Sequence, residues 1–340
     1  MSLIAPAIQT VSPSFMEPAT IIQYSQVSGA FEMLPSGEPK VKLATDDLGV
    51  YAKRLDLRTK MASGQAAYNE LPSVEPVFSL IFTPTYLTRV RYEFDHHDAA
   101  ASGRWGHSIT DLYRHGTLQA HFQFMRTALI FGVNPQLSEG IANAAGTTAA
   151  LLPADSNGNT TITTYDNGQM ALYLLQQIAA IKTKTNNFGI GRQFTILAPQ
   201  RILAQWEYNI VQLVQFQRIG AGTESTAGTV KLVAGYNEDD IRWCADDTLI
   251  AKGSSSTDLI IIVMPEIELV KPPGAIDTNE FAKVTPAWME CTAMYCDMVQ
   301  PREITTPVPG GAVDTLSEHR ISSGWAIRPE AVFLLSAPYP

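Results

Sequence analysis

Apolar and polar positions along the chain follow two different periods. Over residues 50–57 they alternate loosely. Further on, Val90, Tyr92 and Phe94 alternate with Arg89, Arg91 and Glu93, the period-2 pattern of a half-exposed strand. Residues 46–78 therefore read as a long two-stranded excursion, with a tip of small residues about Gly64 and a return through 67–71 toward Pro72. From 108 to 131 the period becomes helical. Ile109, Leu112, Tyr113, Gly116, Ala120 and Phe124 mark one apolar face, and Phe122, Met125 and Leu129 a second on the opposite side. The spacing predicts a helix that begins with one buried face and ends buried all round. Ser108 and Asp111 supply the S-x-x-D capping box at its start, and Gly132 and Pro135 stop it.

Beyond that helix, residues 136–165 are turn-rich and predict a loop with few packing anchors. Asp166 and Gln169 cap a second helix running through Leu174, Leu175, Ile178 and Ile181. "RQFTILAP" reads as a short buried strand, and Pro199 opens a helix carrying Ile202, Leu203, Trp206, Ile210 and Leu213. Strands follow at 230–234 and in "DLIIIVMP", and "SGWAIRPEAVFLLSA" reads as two short strands about a turn at Pro329. Residues 1–45 carry five prolines and little periodicity, so they predict an extended arm with a short strand. Helices and strands mix without a βαβ repeat, which gives the class α+β, and no internal repeat is visible.

Composition narrows the function classes. At 340 residues the chain suggests roughly two packed units, and 45% apolar against 17% charged residues is ordinary for a globular protein. A net charge of -9 excludes a general polyanion binder while leaving room for a local basic face. Cys244, Cys291 and Cys296 are an odd number with no CxxC pair, which points to free thiols in a reducing compartment. The first ten residues lack the basic and apolar regions of a signal peptide. The longest strongly apolar run, 259–264, falls far short of the ~20 residues of a membrane span. The expectation is a soluble protein made in the cytoplasm.

Candidate chemistry concentrates in "DHHDAAASGRWGHSITDLYRH", residues 95–115. On a helix running from His107, the side chains of His107, Asp111 and His115 would share one face, as metal ligands do. The capping box instead places His107 before the helix. No HExxH motif is present, and in an extended segment His96 and His97 point to opposite sides. A polar helix face is the preferred reading, with a metal-dependent hydrolase using His96, His97 and His115 as its competitor. "GAGTESTAGT" lacks the Lys-Ser/Thr of a phosphate loop and reads as a surface loop. "GIGR" fails the dinucleotide fingerprint because position 194 is Phe. "NEDD" with Asp246 and Asp247 lacks calcium-loop spacing and reads as a solvated turn. No catalytic, cofactor-binding or metal-binding residues are expected.

The excursion carries Lys53, Arg54, Arg58 and Lys60. A long hairpin has little core of its own, so its stability comes more readily from lying on a neighbouring chain. Tyr51, Lys53, Arg54, Arg58 and Lys60 are accordingly the expected subunit-contact residues.

The order of parts resembles the major capsid proteins of tailed bacteriophages, the Hong Kong 97 type of fold, shared with encapsulin shells. The likeness is carried by "VYAKRLDLRTKMASGQAAYNELPSVEP", "SITDLYRHGTLQAHFQFMRTALIFGVN", "FTILAPQRILAQW" and "ISSGWAIRPEAVFLLSA". It implies an N-terminal arm (1–45), an extended loop (46–78), a peripheral domain with a long spine helix (79–135 and 264–340) and an axial domain (136–263). It further implies hexamers and pentamers that close into an icosahedral phage head around double-stranded DNA, touched only weakly and non-specifically. Scaffolding, portal and decoration proteins are the implied partners. The implied place is the virion capsid, assembled in the host bacterial cytoplasm without a membrane or cofactor. An encapsulin-like compartment with protein cargo is the related alternative.

Overall fold

The computed structural model describes residues 29–34, 41–58, 75–104, 108–185, 187, 191–208, 210–213, 226–229, 239–267 and 291–340. In chain order the strands begin with β1 (Val41–Leu43), β2 (Gly49–Arg58) and β3 (Glu75–Phe94). Helices α1 (His96–Arg104) and α2 (Ile109–Phe131) follow, then β4 (Thr148–Leu151), α3 (Asn167–Thr185), β5 (Gln193–Ala198) and α4 (Gln200–Tyr208). The next strands are β6 (Ile210–Leu213), β7 (Thr226–Thr229), β8 (Asp240–Ala245) and β9 (Asp258–Val263). The chain ends with β10 (Ala293–Met294), β11 (Cys296–Met298), β12 (Arg302–Val308), β13 (Ala312–Ser322), β14 (Trp325–Ala326) and β15 (Val332–Ala337).

Two sheets organise these elements. The first runs β1-β11-β13-β3-β2, with β12 also paired to β13; the second runs β4-β15-β9-β5-β8 and mixes parallel and antiparallel pairs. Strands β9 and β15 are buried along their whole length, as expected for central strands covered on both faces. Alternation then feeds two cores. Ile260, Ile262, Phe333 and Leu335 meet Leu174 and Ile178 of α3 and Ile202 and Trp206 of α4. On the other face, Ile261, Val263 and Leu334 meet Leu129 and Ile130 from the end of α2 and Met33 of a 3₁₀ turn at Ala30–Met33. The α2 helix thus ends in the core of the second sheet while its middle lies on the first.

The long strand β3 changes partner halfway. Its first half pairs with β2 from Glu75↔Arg58 to Pro84↔Gly49, and its second half pairs with β13 from Thr85↔Ser322 to Phe94↔Val313. The two-stranded excursion read from the sequence is therefore present as a hairpin stem, and its tip, with Lys60, lies outside the described residues.

Local signals hold well. Ser108 caps α2 by accepting the Asp111 N–H at 3.3 Å, and Gly132 ends it. Asp166 accepts the Gln169 N–H at 2.8 Å at the start of α3. The two short strands about Pro329 are β14 and β15, joined by a 3₁₀ turn.

Three expectations need correction, and a fourth is untested. The helix opened by Pro199 ends at Tyr208, and Ile210 and Leu213 lie in β6; the β-branched pair Ile210–Val211 favours a strand. The last four residues of the "GAGTESTAGT" segment form β7, paired with β6. The strand expected at 230–234 lies outside the described residues. Residues 136–165 are anchored, because Ile141, Leu152, Ile162 and Tyr165 are buried. Within that segment the Asp155 carboxylate accepts the N–H groups of Asn157, Asn159 and Asp166, a network of turns that substitutes for regular pairing.

Candidate functional site

The histidine-rich segment makes helix ends. Asp95 accepts the Asp98 N–H at 2.8 Å and Asp98 accepts the Asp95 N–H at 3.3 Å, a reciprocal cap that starts α1. His96 and His97 occupy the first turn of α1 with ring centroids 3.9 Å apart, so the extended, opposed placement expected from sequence does not occur. His107 lies outside the described residues. His115 is exposed on α2, and no group of three His, Cys, Asp or Glu among the described residues is arranged to hold a metal.

The acidic run is likewise structural. Asp239 is buried, pairs with Lys182 at 2.6 Å and accepts the Arg192 N–H. Asp246 is buried and accepts the Thr248 N–H, and Asp247 accepts the N–H of Gln200 at the start of α4. These carboxylates satisfy orphan donors at chain turns, which corrects the reading of a solvated turn. Cys244, Cys291 and Cys296 form no disulfide. Burial pushes the Cys244 thiol up to about 11 and the Cys296 thiol up to about 12, so neither is a thiolate nucleophile near neutral pH.

The hairpin stem is the unusual surface. Tyr51 is 69% exposed, Leu80 66% and Phe82 52%, and the Tyr51 and Phe82 rings lie 4.8 Å apart as a cross-strand pair. The register places positions 51, 53, 80 and 82 on one face of the stem. Positions 54 and 58 fall on the opposite face. Of the expected contact residues the structure thus groups Tyr51 with position 53, separates Arg54 and Arg58 from them, and leaves Lys60 outside its described range. Exposed Leu48, Leu80 and Phe82 were not anticipated. The signal was available in the pairing of Phe82 with Tyr51, once the register of the hairpin is known.

At the root of the stem lies a cleft of about 490 Å³, walled by Phe82, Pro84, Leu137 and Trp325, with Tyr86 and Glu139 at its polar side. The Glu139 carboxylate accepts the Tyr86 hydroxyl at 2.6 Å, the Ser323 hydroxyl at 2.7 Å and the Asn134 N–H at 2.9 Å. Burial pushes Glu139 up, but these hydrogen bonds more than reverse it and hold its carboxyl below the usual carboxylate range. Burial first, and then Glu139, push the Tyr86 phenol up to about 12. One carboxylate therefore ties β3, the loop after α2 and the end of β13 together beneath the hairpin.

Of the apolar stripe assigned from sequence to the buried face of α2, Tyr113 packs inward, while Leu112, Gly116, Ala120 and Phe124 face outward. Leu112 is 46% exposed and Phe124 40%, with Gly116 and Ala120 exposed between them. The sheet takes the adjacent face, through Tyr113 stacked on Tyr92 and through buried Thr117 and His121. The expectation that the helix ends buried holds for Arg126, Ala128, Leu129 and Ile130.

No protein-family model matches the chain, and comparison with curated proteins finds no match in sequence. Solved structures do match in shape. The capsid of Myoviridae phage XM1 superposes with a TM-score of 0.60 at 8% identity, over 95% of this chain and 96% of that one. The capsid of an empty GTA particle gives 0.57 at 10% identity, over 99% and 98%. A chain of Mycobacterium phage Che8 gives 0.52 at 10% identity, over 96% and 97%. Such identities carry the fold and not the sequence, and the coverage leaves no large insertion on either side. The chain has the α+β fold of the phage major capsid proteins.

Proposed function

We propose that this chain is a structural major capsid protein, copies of which assemble as hexamers and pentamers into an icosahedral phage head around double-stranded DNA. The observation that carries this reading is a capsid fold shared end to end, combined with an apolar hairpin stem that the chain itself leaves uncovered. In this reading residues 1–45 are the arm, 46–78 the extended loop, 79–135 with 264–340 the peripheral domain, and 136–263 the axial domain. Tyr51, Lys53, Arg54, Arg58 and Lys60 lie against a neighbouring subunit. The protein is no enzyme, needs no cofactor, and resides in the virion after assembly in the host cytoplasm. Its negative charge suits a shell that touches DNA weakly, with scaffolding, portal and decoration proteins as partners.

Purified protein examined by size-exclusion chromatography and negative-stain microscopy should give capsomers or round megadalton shells. Tyr51→Asp together with Leu80→Asp should leave a folded subunit that no longer closes shells. A monodisperse monomer or dimer under every assembly condition would overturn the proposal. Shells that enclose protein cargo instead of DNA would favour an encapsulin-like compartment.

A further inference from the structure

Where α2 crosses the first sheet, two histidines are buried against each other. His121 on α2 is 2% exposed, His319 on β13 is 4% exposed, and their ring centroids are 5.4 Å apart. His319 lies directly opposite Thr88 in the β13–β3 register, and His121 sits on both. The hydrogen bonds fix the state of His121. Thr88 Oγ1 donates its proton to the His319 carbonyl at 2.8 Å, so it accepts from His121 Nδ1–H at 3.1 Å. His121 Nε2 is then left to accept from the Ser317 hydroxyl at 3.2 Å. The ring is thus held neutral. Among the described residues neither nitrogen of His319 has a hydrogen-bond partner.

We propose that these two rings make the attachment of α2 to the first sheet acid-sensitive: a proton taken up by either ring releases the helix from β3 and β13. Among the described residues, the carboxylates around the two rings are already paired with other cations. On α2 the flanking ionisable side chains are His115, Arg114, which is paired with Glu303 of β12, and Arg126. On β3, Arg89 is paired with Glu318 of β13, and Tyr86 holds Glu139. Arg320 of β13 donates to the Asp47 carbonyl and to Thr85. Lys42 of β1 opposes a positive His319, and Asp297 of β11, the carboxylate on that side, is already paired with Lys42. Burial, and then His319, push the His121 imidazole down to about 4; burial and then Lys42 lower His319 as well.

The sign follows directly. Each ring binds its proton more readily when the contact is open, so opening grows as pH falls below the ordinary histidine value of 6.5. For His121 alone, opening of α2 rises roughly seventy-fold between pH 7.5 and 4.5. The core formed by α3 and α4 contains no histidine and serves as an internal reference. Acid thereby acts on the helix that carries the exposed apolar stripe, whether or not the chain forms shells.

Hydrogen exchange of the unassembled full-length chain, corrected at each pH for intrinsic exchange chemistry, tests this. Peptides from α2 and β13 should lose protection on acidification, and peptides from α3 should not. In His121→Gln/His319→Phe the rise should disappear, because Gln keeps both hydroxyl partners and Phe replaces a ring that bonds neither nitrogen. Should that variant fail to fold, ring titration of the wild-type chain by NMR decides: the His121 ring should remain neutral at pH 5.5, and the His319 ring should titrate below the ordinary histidine value. Equal loss of protection in α2 and α3, an unchanged rise in the double variant, or a buried ring that titrates near 6.5 with α2 still protected would overturn the proposal.

Discussion

Removing the Glu139 carboxylate is the most informative single perturbation of this fold. Its three donors come from β3, from the loop that leaves α2 and from the segment after β13. Hydrogen bonds to a charged acceptor contribute about 1.5–3 kcal/mol each, less where water can replace the partner. Tyr86 lines the cleft and regains water, whereas Ser323 is fully buried and does not. Glu139→Ala should therefore cost about 4 kcal/mol, read by urea unfolding of the unassembled subunit. Glu139→Gln keeps one acceptor oxygen but aims an amide donor at hydroxyl donors, and should cost about 2 kcal/mol. A second readout separates this from a generic packing defect. Tyr86 ionises near 12 because burial and Glu139 hold its proton, so in Glu139→Gln its ultraviolet titration should move toward 10. Tyr86→Phe identifies that transition among the 12 tyrosines. In the wild type, a folded pKa above the unfolded one means stability present below pH 10 and lost as pH rises through 12. Wild-type stability together with a wild-type tyrosine titration in Glu139→Gln would refute the hub.

Other perturbations separate packing from surface. Gly324→Ala should abolish folding, because a Cβ there would sit 2.1 Å from the Leu129 carbonyl oxygen; soluble yield is the assay. Gly116→Ala meets nothing within 4 Å and should stabilise the isolated subunit by up to ~1 kcal/mol in thermal unfolding. Asp258→Ala should destabilise by about 3 kcal/mol in denaturant, since it leaves the guanidinium of Arg201, held by two bonds of 2.8 and 2.6 Å, without its buried carboxylate. At pH 8 the folded chain should resist thiol labelling at Cys244 and Cys296, and the unfolded chain should react, as mass spectrometry would record.

What was legible in the sequence was whatever a few neighbouring residues decide. Ser108 and Asp166 cap their helices, Gly132 stops α2, and the apolar run of "DLIIIVMP" becomes a central strand. The hairpin stem was legible because its alternation survives in the register. Residues whose partners arrive from far along the chain were not. Glu139 draws on positions 86, 134 and 323, and nothing near it marks it as a hub. His121 meets His319 across almost two hundred residues, and nothing in the sequence near either one marks the pair.

The reversed face of α2 shows where periodicity stops informing. Leu112, Gly116, Ala120 and Phe124 satisfy helical spacing as well as Tyr113, Thr117 and His121 do, and more hydrophobically. The chain nevertheless packs the second set on its own sheet and leaves the first exposed. A pattern of apolar residues records that a face is to be buried, without recording by which molecule. The same holds for Tyr51, Leu80 and Phe82 on the hairpin. Burying a large apolar side chain contributes about 1.5–3 kcal/mol, and an isolated subunit forgoes that at each of these positions. Folds that close on themselves seldom leave such residues grouped on a helix face and a hairpin. On the proposed function the missing cover is another copy, and the residues that look misplaced in the monomer would be the ones that drive assembly.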